Sequence, residues 1–302
     1  MGAIAVVGAG IVGVQIAREL QVRAENVTLY DFQEPGQGTS FGNAGYIATD
    51  EILPLAHSAV LRSLPSMLLD PLGPISVNWN SLWSLAPWFA KYLKSCTGQN
   101  SERGIEVLAE LQNKAKGAWL NVVDREKIAN LMRNNGSLKI FETNSGFERT
   151  TKERSRQKEY GIRWQLSNGE EVRERVPELA IGVKHAVYYP DGMNTVSPIE
   201  VTEEIFRNFL KDGGSFIKAK VESIETINKP VLISKQKKWS YDKVVVCGGY
   251  LSGVLLEPLG LKVPLIAERG YHLELDHEEL GFDMPIGSYE RGCYFTPMRS
   301  GL

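Results

Sequence analysis

The chain opens with two apolar runs separated by a helical stripe. Ala3 to Val7 is rich in β-branched residues, as in a strand buried on both faces, and Val27 to Tyr30 repeats that character before Asp31. Between them, apolar residues recur at helical spacing at Val12, Ile16, Ala17 and Leu20. This order predicts a strand, a helix and a second strand, and therefore a parallel sheet.

The alternation of strand and helix patterns stops after Asp31 and resumes in the second half of the chain. Prolines interrupt the apolar, Trp-rich stretch from Leu53 to Lys94, and residues 148–176 are densely charged, which predicts a solvated helix before a turn at Asn168-Gly169. A second α/β stretch begins near Tyr188. It contains a helix that Ser197-Pro198 starts and Gly213-Gly214 ends. We expect its strands at residues 216–224, 230–234 and 243–247.

The amino-acid composition of the chain argues against several classes of function. The 302 residues carry 34 Lys+Arg and 36 Asp+Glu, so no basic face for nucleic acid is expected. Three isolated cysteines fit a reducing cytosol, and four scattered histidines lack the spacing of a catalytic zinc site, so no metal is expected. No apolar run is long enough to span a membrane, and the N-terminus lacks the pattern of a signal peptide.

A glycine motif occupies the first strand–helix junction, as Gly8-Ala9-Gly10-Ile11-Val12-Gly13. In such a motif the first glycine permits a tight turn, the second admits a pyrophosphate, and the third lets helix and strand pack closely. The helix N-terminus attracts the phosphates, and Asp31 can accept hydrogen bonds from a ribose. The motif predicts a dinucleotide but does not select one.

Two further features favour a flavin over a nicotinamide. A second loop of glycine and small polar residues runs from Ser40 to Gly45, and the Val-rich strand after Lys243 leads into Gly248-Gly249. Two glycine-rich strand ends in an interrupted sheet fit a cofactor that lies extended across the domain. An NAD-dependent dehydrogenase remains the alternative if the Ser40–Gly45 loop is only a surface turn.

The sequence resembles the FAD-dependent amino-acid oxidoreductases of the D-amino acid oxidase superfamily, and within it the bacterial D-amino acid dehydrogenase-like proteins. The motifs that carry the resemblance are residues 6–13, Thr39 to Gly45, Tyr241 to Ser252 and Glu268 to His272. The resemblance implies an α/β fold: a Rossmann-like FAD-binding domain of two segments, residues 1–55 and 188–262, and an inserted α+β substrate domain, residues 56–187 and 263–302.

The resemblance also implies residue roles toward FAD. Gly8 to Gly13 would hold the pyrophosphate, Asp31 and Phe32 would lie at the adenosine ribose, and Val221 would lie beside the adenine. Ser40 would approach the phosphates. The remaining cofactor-binding residues are expected near the flavin ring and at the second glycine-rich strand end: Asn43, Ala44, Gly45, Gly248 and Gly249. Gly42 replaces a small non-glycine residue that is frequent in relatives, which suggests a more flexible loop.

The substrate side needs a clamp for a carboxylate and aromatic walls that orient Cα–H. Candidates occur in two stretches that look like strands: Arg269, Tyr271, His272, Tyr289, Arg291 and Tyr294. Arg269 could equally form a strand-end ion pair, and His272 is more often a satisfied histidine than a base.

We expect an oxidoreductase that converts the Cα–N bond of a small amino acid, D-configured or cyclic, to an imine and then a 2-oxo acid. Electrons would pass to a quinone or another acceptor. The alternatives are a sarcosine- or glycine-type amine oxidase that uses oxygen, and a flavin-binding assembly protein without turnover. The expected location is cytoplasmic. Trp79, Trp83 and Trp88 either pack the inserted domain or seat the protein on the inner face of the plasma membrane.

The last residues, Tyr294 to Leu302, look like the middle of a strand region. In the family that the chain resembles, a further segment follows, with a Gly-x-Arg-Pro stretch that returns to the flavin domain. The resemblance therefore implies that these residues form a fragment of a longer oxidoreductase.

Overall fold

The computed structural model describes residues 2–54, 56–57, 82–96, 99–179, 181–235, 237–265, 267, 269–276 and 281–302. Trp79, Glu268 and the side chain of Trp83 lie outside this description. None of the helices in the described ranges is long and apolar enough to cross a membrane.

The strands are β1 (Ala3–Val7), β2 (Asn26–Asp31), β3 (Tyr46–Ile47), β4 (Met132–Arg133), β5 (Ser137–Phe141), β6 (Gln165–Asn168), β7 (His185–Tyr189), β8 (Met193–Thr195), β9 (Ser215–Lys218), β10 (Ser223–Thr226), β11 (Pro230–Ile233), β12 (Lys238–Ser240), β13 (Lys243–Val246), β14 (Ile286–Ser288) and β15 (Cys293–Phe295). The α-helices are α1 (Ile11–Val22), α2 (Leu82–Ser95), α3 (Gln99–Glu126), α4 (Asn144–Arg149), α5 (Thr151–Glu159), α6 (Gly169–Arg175), α7 (Pro198–Lys211) and α8 (Ser252–Leu256). Short 3₁₀ helices span Ala129–Leu131, Gly249–Leu251 and Glu257–Leu259.

The predicted parallel sheet is present, with strand order β13-β1-β2-β9. Its strands pair in parallel, so Ala5 lies between Val244 and Thr28. Helices α1 and α7 cover one face of the sheet with buried side chains such as Ala17, Ile205 and Phe209. Ser197 caps α7 by accepting a hydrogen bond from the Glu200 N–H, as the Ser-Pro pair predicts.

A second, five-stranded sheet has the order β15-β14-β5-β7-β6 and mixes parallel and antiparallel pairs. A small antiparallel sheet, β3-β8-β4, contributes one strand from directly after the Ser40–Gly45 loop. The fold is therefore α/β, with a parallel sheet assembled from separated segments. The segment between β2 and α7 contributes β5, β6 and β7, which are most of the strands of the second sheet.

Three local expectations differ from the structure. Tyr188 lies inside β7, in the second sheet, so the return to the parallel sheet starts later, at α7. The strand expected over residues 216–224 is two strands: β9 ends at Lys218, opposite the last residue of β2, and β10 begins at Ser223 and pairs with β11 instead. Asn168 does not form a turn but caps α6. Its side chain and that of Glu171 form a reciprocal capping box.

Candidate cofactor and substrate site

The carboxyl ends of the parallel strands bring the separated glycine segments to one edge. The Gly8 N–H donates to the Tyr30 carbonyl at 2.7 Å, and the Cys247 N–H donates to the Val7 carbonyl at 2.6 Å. On the far side of β2, the Ala219 N–H donates to the Asp31 carbonyl at 2.7 Å and leads the chain toward half-buried Val221. Ligands of open parallel sheets bind outside this edge.

The three glycines of the first turn have different reasons to be glycine. Gly8 has φ +107°, and a Cβ there would lie 2.3 Å from the Cys247 carbonyl oxygen. A Cβ on Gly13 would lie 1.7 Å from the Gly8 carbonyl oxygen. A Cβ on Gly10 would contact only the Ser40 hydroxyl, at 3.1 Å. Gly8 and Gly13 thus serve close packing, whereas Gly10 keeps the space before the helix open.

The N-terminus of α1 retains the features of an anion site. Gly10, the N-cap residue, provides no side-chain cap, and the first turn contains no acidic residue. The Ser40 hydroxyl accepts a hydrogen bond from the Ile11 N–H at 2.9 Å, which leaves its own proton free to donate to a phosphate. Val12 and Phe32 stand beside the turn with 61% and 50% of their surface exposed. These residues fit a dinucleotide.

Asp31 supports the turn as well as offering oxygens to a ribose. One carboxylate oxygen accepts a hydrogen bond from the Ala9 N–H at 2.6 Å, and the other accepts from the Gln33 N–H at 3.0 Å. A carboxylate has about four acceptor positions, so acceptor capacity remains for ribose hydroxyls. The second glycine pair lies at the same edge, since a Cβ on Gly8 would also approach the Gly248 nitrogen, and Gly249 opens an exposed 3₁₀ turn.

The Ser40–Gly45 loop is shaped by Asn43. The Asn43 amide nitrogen donates to the Ser40 carbonyl at 2.7 Å, and its oxygen accepts from the Gly45 N–H at 2.7 Å. Ala44 is exposed and Gly45 is buried. Asn43 therefore holds the loop that would face the flavin.

Gly42 is needed in this loop for a reason that the sequence does not reveal. Its φ is +66°, and a Cβ would lie 2.5 Å from Cε1 of His272. The glycine thus accommodates a left-handed backbone and a packed imidazole, instead of simply loosening the loop.

The structure brings only part of the predicted substrate set to the loop. His272 packs on Gly42, and its Nε2 lies 3.5 Å from a carboxylate oxygen of Glu274. Tyr271 is 90% exposed, and Arg269 is exposed in the same segment. The expected strand is absent from residues 269–276. Among backbone hydrogen bonds between described residues, this segment reaches another one through Leu275, which forms a reciprocal pair with Leu302.

Tyr289 and Arg291 lie at the other end of β5. The Tyr289 ring packs against Phe141 with centroids 5.2 Å apart, and Arg291 donates to both carboxylate oxygens of Glu142, at 2.5 and 3.1 Å. Ser137, at the start of β5, contacts the hydroxyl of Tyr46, the residue directly after the loop, at 2.9 Å. A five-residue strand is about 13 Å long between its end residues, so Arg291 is remote from the loop.

Sequence analysis named Tyr294 as a candidate but missed the titratable side chains that surround it directly after the Ser40–Gly45 loop. The Tyr46 ring stacks on the Tyr294 ring, with centroids 5.7 Å apart, and its hydroxyl donates to Asp50 and contacts Ser137. The Tyr294 hydroxyl donates to Glu51 at 2.8 Å. The proximity of Tyr46, Asp50 and Glu51 to the loop in sequence was the available signal.

Lys139 neutralises part of this cluster. Its ammonium lies 3.2 Å from Glu153 and 3.7 Å from Glu51. Burial alone would lower the pKa of Lys139, but the two carboxylates raise it above its usual value. Burial and then the charge of Glu51 raise the pKa of Asp50 to about 6. The cluster holds a carboxyl group that titrates near neutral pH.

Comparison with known proteins places these features in a family. Residues 3–302 match the DAO family, described as FAD dependent oxidoreductase. The chain is 30% identical to a D-amino-acid oxidase from Bradyrhizobium diazoefficiens over 283 residues, which cover 92% of this chain and 67% of that protein. It is 26% identical to a D-amino acid dehydrogenase 2 from Ralstonia nicotianae, with coverages of 92% and 67%.

Among solved structures, a glycine oxidase from Bacillus cereus superposes with a TM-score of 0.68 at 19% identity. The match covers 100% of this chain and 69% of that one. An L-proline dehydrogenase from P. horikoshii gives a TM-score of 0.65 at 18% identity, with coverages of 99% and 67%. These likenesses establish the fold. The family match over residues 3–302 and the 30% identity to the Bradyrhizobium protein show that the chain belongs to the DAO family of FAD-dependent oxidoreductases.

Proposed function

We propose that this flavoprotein oxidises the Cα–N bond of a small amino acid, D-configured or cyclic, to an imine. The observation that carries the proposal is the 30% identity to a D-amino-acid oxidase over 92% of the chain. The glycine turn with Asp31 and the Asn43-held loop occur in the order that such an enzyme requires. Non-cyclic imines would then hydrolyse to a 2-oxo acid and ammonia.

The reaction removes two electrons and the Cα hydrogen from the substrate. The Cα–H bond breaks as a hydride while the nitrogen lone pair forms the C=N bond, so the substrate amine must first be neutral. FAD, when bound, supplies the hydride acceptor. The protein itself must hold the Cα–H bond in one orientation and provide a group that accepts the proton released by the substrate amine.

The neighbours of the Ser40–Gly45 loop suit these tasks. The stacked pair of Tyr46 and Tyr294 provides an aromatic wall, and Tyr294 remains 44% exposed. His272 borders the loop from the opposite segment. The Asp50 carboxyl, linked to the wall through the Tyr46 hydroxyl, is suited to take up a proton near neutral pH because burial raises its pKa. Arg291 is occupied by Glu142 and is not included in this assignment.

Anaerobic titration of FAD-loaded protein tests the proposal. We expect D-alanine or D-proline to bleach the visible flavin band, and the product solution to contain the matching 2-oxo acid or cyclic imine. Gly10→Val protein, which should not hold the cofactor, is the control. Bleaching by glycine or sarcosine alone would favour the amine-oxidase alternative. Stable flavin absorbance with every amino acid would favour a non-catalytic protein.

The electron acceptor needs a separate experiment. The matching relatives named above include an oxidase and a dehydrogenase, so their names do not select oxygen or another acceptor. We propose a quinone or a similar acceptor. Stopped-flow mixing of the reduced protein with oxygen or with a soluble quinone should give faster recovery of the flavin band with the quinone. Faster recovery with oxygen would make the protein an oxidase.

A further inference from the structure

Residues 269–276 have the pattern of a β-strand but no strand partner. Apolar side chains alternate with polar ones in this segment: Tyr271, Leu273 and Leu275 on one side, and His272, Glu274 and Asp276 on the other. The segment contains no helix, turn or bend, so its backbone is extended. A β-strand needs a neighbouring strand, and the lack of one along this segment explains why the predicted strand does not form.

The polar side of the segment faces the protein and the apolar side faces water. On the polar side, His272 packs on Gly42 of the Ser40–Gly45 loop. On the apolar side, Tyr271 is 90% exposed, Leu273 85% and Leu275 55%. Contiguous apolar side chains that are exposed to this extent mark an interaction surface.

The two edges of the segment also differ. Leu275 exchanges two backbone hydrogen bonds with Leu302, at 2.8 and 3.0 Å, so that edge is occupied at this position. Because backbone groups of alternate residues point to opposite edges, those of His272 and Glu274 point to the other edge, which we call the open edge. Within the described ranges, no backbone hydrogen bond is made at the open edge. Such an edge is a template for pairing with another strand.

The segment is complementary to a second copy of itself. In an antiparallel pair centred on Leu273, Tyr271 of each copy lies opposite Leu275 of the other, and His272 of each lies opposite Glu274 of the other. Apolar side chains then meet apolar ones, and an imidazole that can carry positive charge meets a carboxylate. A pair centred on His272 or on Glu274 would instead place like groups opposite each other. The pattern therefore selects one register.

We propose that the open edge of residues 269–276 is the interface of a two-fold symmetric dimer of this chain, built as an antiparallel ribbon centred on Leu273. Each copy contributes the same strand, as a closed two-fold dimer requires. His272 and Glu274 exchange backbone hydrogen bonds with the second copy through the open edge. The two Leu273 residues form a non-hydrogen-bonded pair, in which side chains approach most closely. Each His272 then lies beside Glu274 of its own copy, at 3.5 Å, and opposite Glu274 of the other.

A single cysteine on the two-fold axis tests the register. Paired Cα atoms at a non-hydrogen-bonded position lie about 4.5 Å apart, which a disulfide can span. Leu273→Cys in FAD-loaded protein should therefore form a covalent dimer on mild oxidation, detected by non-reducing electrophoresis. Tyr271→Cys and Leu275→Cys should cross-link little alone but efficiently when the two variants are mixed. Ile227→Cys is the control, because Ile227 is 88% exposed on β10–β11 and should not cross-link.

Sedimentation velocity tests the charged pairs without any cross-link. The unaltered protein should show a monomer–dimer equilibrium that depends on concentration. Glu274→Arg turns two favourable cross-strand pairs into unfavourable ones and should raise the dimer Kd about tenfold or more. The exchanged variant, with His272→Glu and Glu274→His together, keeps both pairs and should recover the dimer. Thermal unfolding of each variant identifies misfolded protein, and the cross-linking of Leu273→Cys decides where the exchanged variant fails to fold.

Three results would overturn the inference. One is a monomer at every concentration, which would leave the edge to an occupant other than a second copy. Another is equal cross-linking of Leu273→Cys, Tyr271→Cys and Ile227→Cys, which would indicate random collision of exposed thiols. The third is a dimer that Glu274→Arg leaves unchanged and Leu273→Cys does not cross-link, which would place the interface elsewhere. None of these measurements involves a substrate, so their outcome is independent of the proposed function.

Discussion

The proposed nucleotide end, around the first glycine turn and Asp31, and the proposed substrate end, around Tyr46 and Tyr294, differ in the groups that form them. At the nucleotide end, the contacts involve mainly backbone groups. Gly8 and Gly13 allow two chain segments to touch, and Asp31 and Ser40 accept hydrogen bonds from backbone N–H groups. At the substrate end, side chains from several distant segments contact one another, as Tyr294 contacts Tyr46 across 248 positions of chain. The glycine turn of the first end is a contiguous motif that the sequence displays directly, whereas the second end depends on tertiary pairing.

The two ends also differ in electrostatics. The first turn of α1 offers N–H groups and contains no acidic residue of its own, which suits phosphates. The cluster beside Tyr46 places three carboxylates, of buried Asp50 and of partly exposed Glu51 and Glu153, around one ammonium, of Lys139. Excess negative charge in a buried cluster favours an added proton. The nucleotide end is thus suited to anion binding and the substrate end to proton uptake.

The largest effect is expected from Gly13→Ala. A Cβ at this position would lie 1.7 Å from the Gly8 carbonyl oxygen, so α1 or the turn must shift. We expect the free energy of unfolding to fall by about 3 kcal/mol or more in the cofactor-free protein, measured by urea denaturation. Gly117→Ala in α3 is the control, because a Cβ there meets nothing within 4 Å. Equal stability of the two variants would contradict the packing role of Gly13.

Gly10→Val separates cofactor binding from folding at the same turn. A Cβ at this position meets only the Ser40 hydroxyl within 4 Å and no backbone atom, so we expect the protein to fold but to lose FAD on gel filtration. Flavin absorbance per protein and thermal unfolding of the cofactor-free form are the measurements. Gly182→Val, at an exposed glycine with no atom within 4 Å, should retain FAD. Retention of FAD by Gly10→Val would refute the phosphate assignment.

This contrast explains which parts of the molecule could be predicted from sequence. The βαβ unit, α7 and the strand after Lys243 were predictable because hydrophobic period and capping residues specify them locally. The neighbours of the Ser40–Gly45 loop were not, because β5 and β15 reach Tyr46 only through the second sheet. Arg291 had the right chemistry in a strand region, but Glu142 at the end of β5 engages it. No local pattern specifies that pairing.

Asp50→Asn tests the charge of the substrate end. Burial raises the pKa of Asp50 to about 6, above its usual 3.8, so the folded protein binds this proton more tightly than the unfolded chain does. The carboxyl therefore lowers the free energy of unfolding as pH rises from about 4 to about 6, by about 2–3 kcal/mol in total. The groups that face it and set its titration are Tyr46, Glu51, Lys139, Glu153, Tyr189 and Tyr294.

The asparagine variant should lack this part of the pH dependence. Urea denaturation of both proteins at about pH 4 and about pH 7 gives the comparison, and the variant should gain stability relative to the unaltered protein at the higher pH. Asp191→Asn is the control. Arg163 and Lys116 lower the pKa of Asp191, so stability from that carboxylate is present at neutral pH and is lost as pH falls. Parallel pH profiles for Asp50→Asn and the unaltered protein would contradict the assignment.

The smallest effect is expected from Arg291→Ala, which defines where the substrate end stops. Arg291 is 66% exposed in its ion pair with Glu142, and solvent screens exposed pairs so that they contribute little to stability. We expect the free energy of unfolding to fall only slightly, with a similar loss in Glu142→Gln and little further loss in the double variant, because the two changes remove the same contact. A large loss of D-alanine affinity in Arg291→Ala, with the free energy of unfolding nearly unchanged, would contradict this expectation. Arg291 would then belong to the substrate-binding site, which would reach from one end of β5 to the other.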